Sequence, residues 1–132
     1  MTPKRESMLL PAVRAYFKKQ YEQHTTELPF YAHRIDLYGY SAATDCTVAV
    51  ELKLHDWRRA LEQALVYQLC ADYVFIAVPA ATAERVNLDE LRVHGIGLLS
   101  VSGRKCVETL AAVPSHVLNA NYKSAYTALV TA

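Results

Sequence analysis

The sequence predicts an α/β domain built on a mixed central β-sheet flanked by helices. Three observations carry that prediction. Cys46 to Leu54 alternates strictly, with Cys46, Val48, Val50, Leu52 and Leu54 apolar on one side. A helical pattern follows from Trp57, and then a continuous apolar run, Tyr73 to Val78, is halted by Pro79. Strand, helix and strand over this distance imply a parallel crossover. At 132 residues the chain is short for two cores, so residues 1–132 are read as one domain.

Taken in order, Ser7 to about Glu22 reads as a helix. Leu9, Ala12, Val13, Tyr16, Phe17 and Gln20 repeat at 3.6 residues, and Pro11 is tolerated only in the first turn. His24 to Pro29 reads as a connector. Phe30 to Gly39 is strand-like, with Ile35 and Leu37 on one face and Arg34, Asp36 and Tyr38 on the other. Gly39 to Asp45 is a polar turn of small residues.

The strand Cys46 to Leu54 comes next, and Asp56 is a suitable N-cap for a helix from Trp57 to about Cys70. Its packed side is Trp57, Ala60, Leu61, Ala64, Leu65 and Gln68. After the Tyr73–Val78 strand, a short helix is expected around Ala83 to Val93 with Gly95 as C-cap. Ile96 to Val101 is a further buried strand, Gly103 a turn and Cys106 to Ala111 an edge strand. Beyond Pro114, Tyr122, Tyr126 and Leu129 suggest a closing helix.

Composition narrows the function classes. Hydrophobic residues make up 52% and charged ones 20%, with four Gly and five Pro, which excludes a disordered or collagenous chain. No apolar run approaches the roughly 18 residues of a membrane span. The three cysteines, Cys46, Cys70 and Cys106, form no CxxC pair and read as buried small apolar residues rather than disulfides or a zinc site. A cytoplasmic, reduced location is expected. The net charge of +1 is too small for gripping long nucleic acid by charge alone, so phosphate binding would need a local patch, a metal ion or a partner. Arg14, Lys18 and Lys19 supply one such patch, or are simply the solvated face of the first helix.

The chemistry concentrates where the alternating strand turns charged. Its odd positions run Thr47, Ala49, Glu51, Lys53 and His55. A charge buried on a sheet costs several kcal/mol unless a partner or ligand compensates it. The preceding strand offers Asp36. A hairpin centred in the Ala42–Ala43 turn sets Asp36 opposite Ala49 and diagonal to Glu51, so that two carboxylates can converge on one cation. The next helix brings Asp56, Arg59, Gln63 and Tyr67 to one side. Arg58 and Arg59 in its first turn sit against the positive end of the helix dipole, a placement that makes sense if an anion such as phosphate is delivered there.

Asp36, Glu51-Leu52-Lys53 on a strand, and Gln63-Ala-Leu-Val-Tyr67 on the following helix resemble the PD-(D/E)XK nuclease superfamily. The QxxxY element is most like its RecB-type branch, and a weaker similarity runs to MmcB-like DNA-repair proteins through Ala77 to Pro79 and Gly95 to Val101. The resemblance spans roughly Glu6 to Val101 and implies a restriction-endonuclease-like core. Ile35 stands where Pro is usual, and the iron–sulfur cysteines of some RecB-type relatives are missing.

The resemblance implies that Asp36, Glu51 and the Leu52 carbonyl hold Mg²⁺ or Mn²⁺. It further implies that Lys53 orients the attacking water or stabilises the transition state, that Gln63 supports it, and that Tyr67 contacts the DNA backbone. The resemblance offers Glu6 as a candidate for the acid that some relatives add from the first helix, and His24 and His33 as candidates for an upstream His, but commits to none of them. The expected activity is metal-dependent hydrolysis of phosphodiester bonds in DNA, structure-directed or partner-targeted. Arg14, Lys18, Lys19, Arg58 and Arg59 would face the DNA, in a homodimer or a subunit of a larger complex. The alternative is a non-catalytic nuclease-fold module that binds nucleic acid or protein. Two bland readings also stand: Asp36, Glu51 and Lys53 as a structural ion-pair cluster, and Gln63 with Tyr67 as an exposed helix edge.

Overall fold

A computed structural model describes residues 3–132. Six strands form one mixed sheet in the order β1-β2-β3-β4-β5-β6, each neighbouring the next in sequence. They span Gln23–Phe30 (β1), His33–Ser41 (β2), Cys46–Leu52 (β3), Tyr73–Pro79 (β4), Gly97–Ser102 (β5) and Lys105–Leu110 (β6). The helices are Leu10–Phe17 (α1), Trp57–Tyr67 (α2), Ala80–Ala83 (α3), Leu88–His94 (α4) and Ala120–Thr131 (α5). β3, β4 and β5 are mutually parallel, and the outer pairings are antiparallel, as the crossover prediction requires.

Each face of the sheet carries its own core. Leu37, Val48, Val50, Leu52, Phe75, Ala77 and Leu99 point toward α1, where Val13 and Phe17 cover them. Ile35, Tyr38, Ala49, Val74, Ile76 and Leu98 point the other way, under Trp57, Ala60, Ala64 and Tyr67 of α2. β3 is therefore covered on both faces, which corrects the expectation of one core face and one small or charged face: Thr47, Ala49 and Glu51 are as buried as their neighbours.

Several boundaries differ from the sequence reading. The first helix is a 3₁₀ turn at Glu6–Leu9 followed by α1, and it ends well before Glu22. The Tyr21 N–H bonds back to the Phe17 carbonyl at 2.8 Å, and its buried ring lies so close to Gly39 that a Cβ there would sit 2.9 Å from the Tyr21 Cβ. That contact draws the chain off the helix and into the sheet. His24 to Pro29, expected as a connector, is most of β1, and Phe30 ends β1 instead of opening β2. As an edge strand β1 tolerates Pro29 and polar residues, which hides it from a periodicity argument. The helix expected at Ala83 to Val93 is split into α3 and α4, because the Asn87 side chain accepts from the N–H groups of Asp89 and Glu90 and starts a new helix. Gly95 does cap α4, at φ 74°.

α5 closes the α2 side of the sheet over β1 and β2. None of its side chains is fully buried. It is fixed by Tyr122 and Tyr126 packing edge-to-face on Phe30, and by Lys123, whose Nζ lies 2.9 Å from Asp72 Oδ2. The same Asp72 oxygen accepts from the backbone N–H and the hydroxyl of Thr47 at 2.8 and 2.9 Å.

Candidate functional site

The sheet opens at Asp36. The β1–β2 register runs from Thr26↔Leu37 to Leu28↔Ile35 and leaves Glu27 and Asp36 unpaired. Glu27 takes a left-handed φ of 53°, an uncommon backbone for Glu. β2 also breaks its alternation here, since Ile35 and Tyr38 both pack toward α2 while Leu37 packs toward α1. This departs from the expectation of Ile35 and Leu37 on one face. The β2–β3 ladder stops at Leu37↔Val50. Two residues further along β3, the Leu52 N–H is taken by the Asp36 carboxylate at 2.7 Å instead of by a β2 carbonyl.

This register differs from the expected one by two residues, with the turn centred between Ala43 and Thr44. Continued by one step, it sets Asp36 opposite Glu51 rather than diagonal to it. A shift of two keeps the face only in an unbroken strand, and β2 is broken at Asp36; the two carboxylates are linked instead by the Asp36 charge, which is felt at Glu51.

Glu51 is 4% exposed on the last turn of pleat before β3 ends. Its Oε1 lies 2.7 Å from the Tyr67 hydroxyl. Burial pushes Glu51 up to about 8, the Asp36 charge adds to the effect, and the Tyr67 hydrogen bond and Lys53 oppose it. Asp36 is also raised, first by burial and further by Glu6 and Glu27, against the Leu52 N–H that favours its charged form. The Tyr67 phenol is itself pushed far up by burial and by Glu51, so it remains a donor at any working pH.

The structure places the remaining predicted residues unequally. Lys53 is half-buried just past β3, where its backbone N–H bonds to the Ala77 carbonyl. Its charge is felt at both carboxylates. Ion pairs among the described residues are Arg58–Glu90, Arg92–Asp89 and Lys123–Asp72, none of which involves Asp36, Glu51 or Lys53. Gln63 is half-buried, and its Oε1 is buried without any hydrogen-bond partner. Tyr67 is fully buried, so it cannot reach a DNA backbone as the resemblance implied. Its hydroxyl, also 3.0 Å from the Arg34 carbonyl, positions Glu51 instead. Neither residue is an exposed helix edge.

The five cations do not form one surface. Arg14, Lys18 and Lys19 are exposed on and just after α1, on one side of the sheet, and Arg14 donates to His24 at 3.2 Å. Arg58 and Arg59 are exposed on α2, on the other side. Arg58 stacks 4.5 Å above the Trp57 ring and pairs with Glu90 at 3.3 Å. The Arg59 N–H is taken by the Asp56 cap at 3.2 Å.

Two residues join the site that the sequence left uncommitted. Glu6, in the 3₁₀ turn, lines a cleft of about 420 Å³ with Arg5, Glu27, Asp36 and Leu52. His33 stands edge-on to Tyr67, ring centroids 6.3 Å apart. Glu6 was detectable as the lone acid in a basic N-terminal stretch, but its reach to β3 was not. Among the described residues no three His, Cys, Asp or Glu side chains converge as a metal-ligand group. The donors at hand for a cation are two carboxylates and the Leu52 carbonyl. All are oxygens, as hard divalent cations prefer. On α2, one turn before Tyr67, Gln63 Oε1 is a further unmet acceptor.

No protein family matches the chain, and no curated protein matches it. A solved structure of a protein of unknown function from Silicibacter pomeroyi superposes with a TM-score of 0.72, covering 99% of this chain and 86% of that one at 16% identity. That likeness shows the fold: an α/β domain with a six-strand mixed sheet flanked by helices. Among the described residues no helix is long and apolar enough to cross a membrane.

Proposed function

We propose that this protein is a metal-dependent nuclease that hydrolyses phosphodiester bonds in DNA. One observation carries the reading: two carboxylates, Asp36 and Glu51, lie at the end of the sheet where the β2–β3 ladder stops, and among the described residues no cationic side chain forms an ion pair with either. Burying such a pair without a counter-charge costs stability and raises both pKa values, and a divalent cation removes both penalties. Mg²⁺ or Mn²⁺ held by Asp36, Glu51 and the Leu52 carbonyl would supply water activation and charge neutralisation at the phosphate.

The protein's own groups divide the remaining work. Tyr67 fixes the Glu51 carboxylate by its hydroxyl. Asp36 is aimed by the Leu52 N–H. Lys53, half-buried and free of an ion pair among the described residues, is placed to orient a water or meet negative charge on a phosphate. Gln63 offers its unmet Oε1 as an acceptor for that water or for Lys53. With a net charge of +1 and its cations divided between two sides of the sheet, the chain favours acting as a dimer or beside a partner that brings further positive charge. A cleavage assay on labelled single-stranded, duplex, flapped and junction DNA and one RNA, in Mg²⁺, Mn²⁺ or EDTA, tests the reading.

A further inference from the structure

Charge is spread unevenly along this chain. The last 24 residues, Thr109 to Ala132, hold a single Asp, Glu, Lys or Arg, and it is Lys123. That one charge turns inward: Nζ lies 2.9 Å from Asp72 Oδ2 and donates to the Asp45 carbonyl at 2.6 Å. α5 therefore shows solvent a face without charge. Tyr122, Tyr126 and Val130 pack on the core with Lys123, while Asn121, Ser124, Ala125, Ala128 and Leu129 are exposed at the three- and four-residue spacing of one helix side. A helix lying on a protein surface ordinarily carries its charges there, as α2 does with Arg58, Arg59 and Glu62.

The strap that leads into α5 continues this surface. Val113 and Val117 are exposed on it, and the Ser115 and Asn119 N–H groups hold it down on the Asp72 and Leu69 carbonyls. From Val113 to Ala132 the surface runs over 20 residues. Stable interfaces take roughly 20–30 residues a side, so its extent suffices for one.

The absence of charge decides what fits. DNA needs cations to meet its phosphates, and a charged protein partner needs charges of the opposite sign. A helix lying on a membrane carries Lys or Arg beside bulky apolar residues, and this face has mainly Ser and Ala. A second copy of the chain needs none of these. Across a two-fold axis a surface meets itself, so a charge near the axis faces its like, and a face with no charge is complementary to itself. Small residues at Ser124, Ala125 and Ala128 also let two helices approach closely.

We infer that two copies of this chain pair through α5, with the charge-free faces crossing at a two-fold axis near Ala125, midway along the helix. The pairing gives the proposed dimer a surface but does not depend on nuclease activity.

Sedimentation equilibrium without DNA or metal reads association alone, so a failure to cut DNA leaves the result untouched. Wild type at micromolar concentration is expected at twice the chain mass. Ala125 is exposed, so Ala125→Glu and Ala125→Lys should each fold, as circular dichroism checks. Each should weaken association at least about ten-fold by setting like charges across the axis. Mixed together, the two variants should regain the dimer, since opposite charges then meet. Ala15→Glu, the same change at an exposed position of α1 on the other side of the sheet, should associate as wild type does. Wild type that stays monomeric to high micromolar concentration overturns the pairing. So does Ala125→Glu that associates as wild type, or a mixture that stays monomeric. Should the Ala125 variants fail to fold, Ser124→Glu and Ser124→Lys are read in the same way.

Discussion

The Tyr67 hydroxyl lies 2.7 Å from Glu51 Oε1, joining the last turn of α2 to the end of β3 beneath the surface of the protein. Both residues are buried, and the phenol is the side-chain hydrogen-bond donor that the structure gives this carboxylate. α2 thus does more than cover the sheet: it sets the orientation of the acid on which the proposed chemistry depends.

Removing that hydroxyl should expose the dependence. Tyr67→Phe keeps the ring in the core but leaves a buried carboxylate without its donor, at about 1–3 kcal/mol. Because the hydrogen bond lowers the Glu51 pKa, the variant should hold its proton to still higher pH. A denaturant melt gives the first effect, and an upward shift of the acid limb of the pH–rate profile gives the second. An unchanged profile would mean that Tyr67 only fills space.

Asp36→Asn retains an oxygen for the Leu52 N–H while removing the charge that raises Glu51. The Glu51 pKa should fall, as read by carbon-13 NMR titration of a labelled protein. Cleavage should fall by at least about ten-fold, because an amide is a poorer partner for a divalent cation. A Glu51 pKa that did not move would show that the two carboxylates do not interact.

The raised Glu51 pKa also sets the pH dependence of stability. An unfolded Glu titrates near 4.5, and the folded one near 8. Between these values the folded state holds a proton that the unfolded chain has released, so stability is greatest at and below about 4.5 as far as this group is concerned. It is lost progressively as pH rises toward 8, by on the order of a few kcal/mol. Glu51→Gln should flatten this slope. Added Mg²⁺ or Mn²⁺ should raise the melting temperature more at pH 8 than at pH 6. A wild-type melting temperature that climbs over this range, with Glu51→Gln climbing in parallel, would contradict the assignment.

Asp72 and Lys123 anchor the closing helix. Lys123→Met strips the cation from a carboxylate that is 17% exposed and already accepts twice from Thr47, and should cost about 1–3 kcal/mol in a denaturant melt. Arg92→Met, at an ion pair with Asp89 in which both side chains are exposed, should cost less than about 1 kcal/mol. Equal effects would show that α5 is not held by this contact.

The central strands were legible by two different marks: strict alternation for Cys46–Leu52, although both its faces prove buried, and a continuous apolar run for Tyr73–Pro79, with the helix Trp57–Tyr67 between them. β1 was not, since an edge strand with one side in water needs no alternation, and Thr25, Thr26 and Glu27 carry none. The hairpin register was missed by two residues because a left-handed Asp45, at φ 52°, shifts the turn, and such a conformation has weak sequence marks outside Gly and Asn. The break in β2 at Asp36 was not readable either, since alternation alone predicts an unbroken strand through Ile35, Asp36 and Leu37. The depth of Tyr67 was not readable, since a helix pattern gives the direction of a side chain but not how much chain lies over it. The contribution of Glu6 depends on a 3₁₀ turn folding back over Asp36 and Leu52, a long-range contact with no local mark.

The most direct test is cleavage of labelled DNA by purified wild type, Glu51→Gln and Lys53→Met, each with Mg²⁺, Mn²⁺ or EDTA, after circular dichroism has shown all three folded. Metal-dependent cutting by wild type, abolished in both variants, is the predicted result. No cutting of single-stranded, duplex, flapped or junction DNA by wild type, with no metal-induced rise in melting temperature, would contradict the nuclease reading and leave a fold that binds without catalysis.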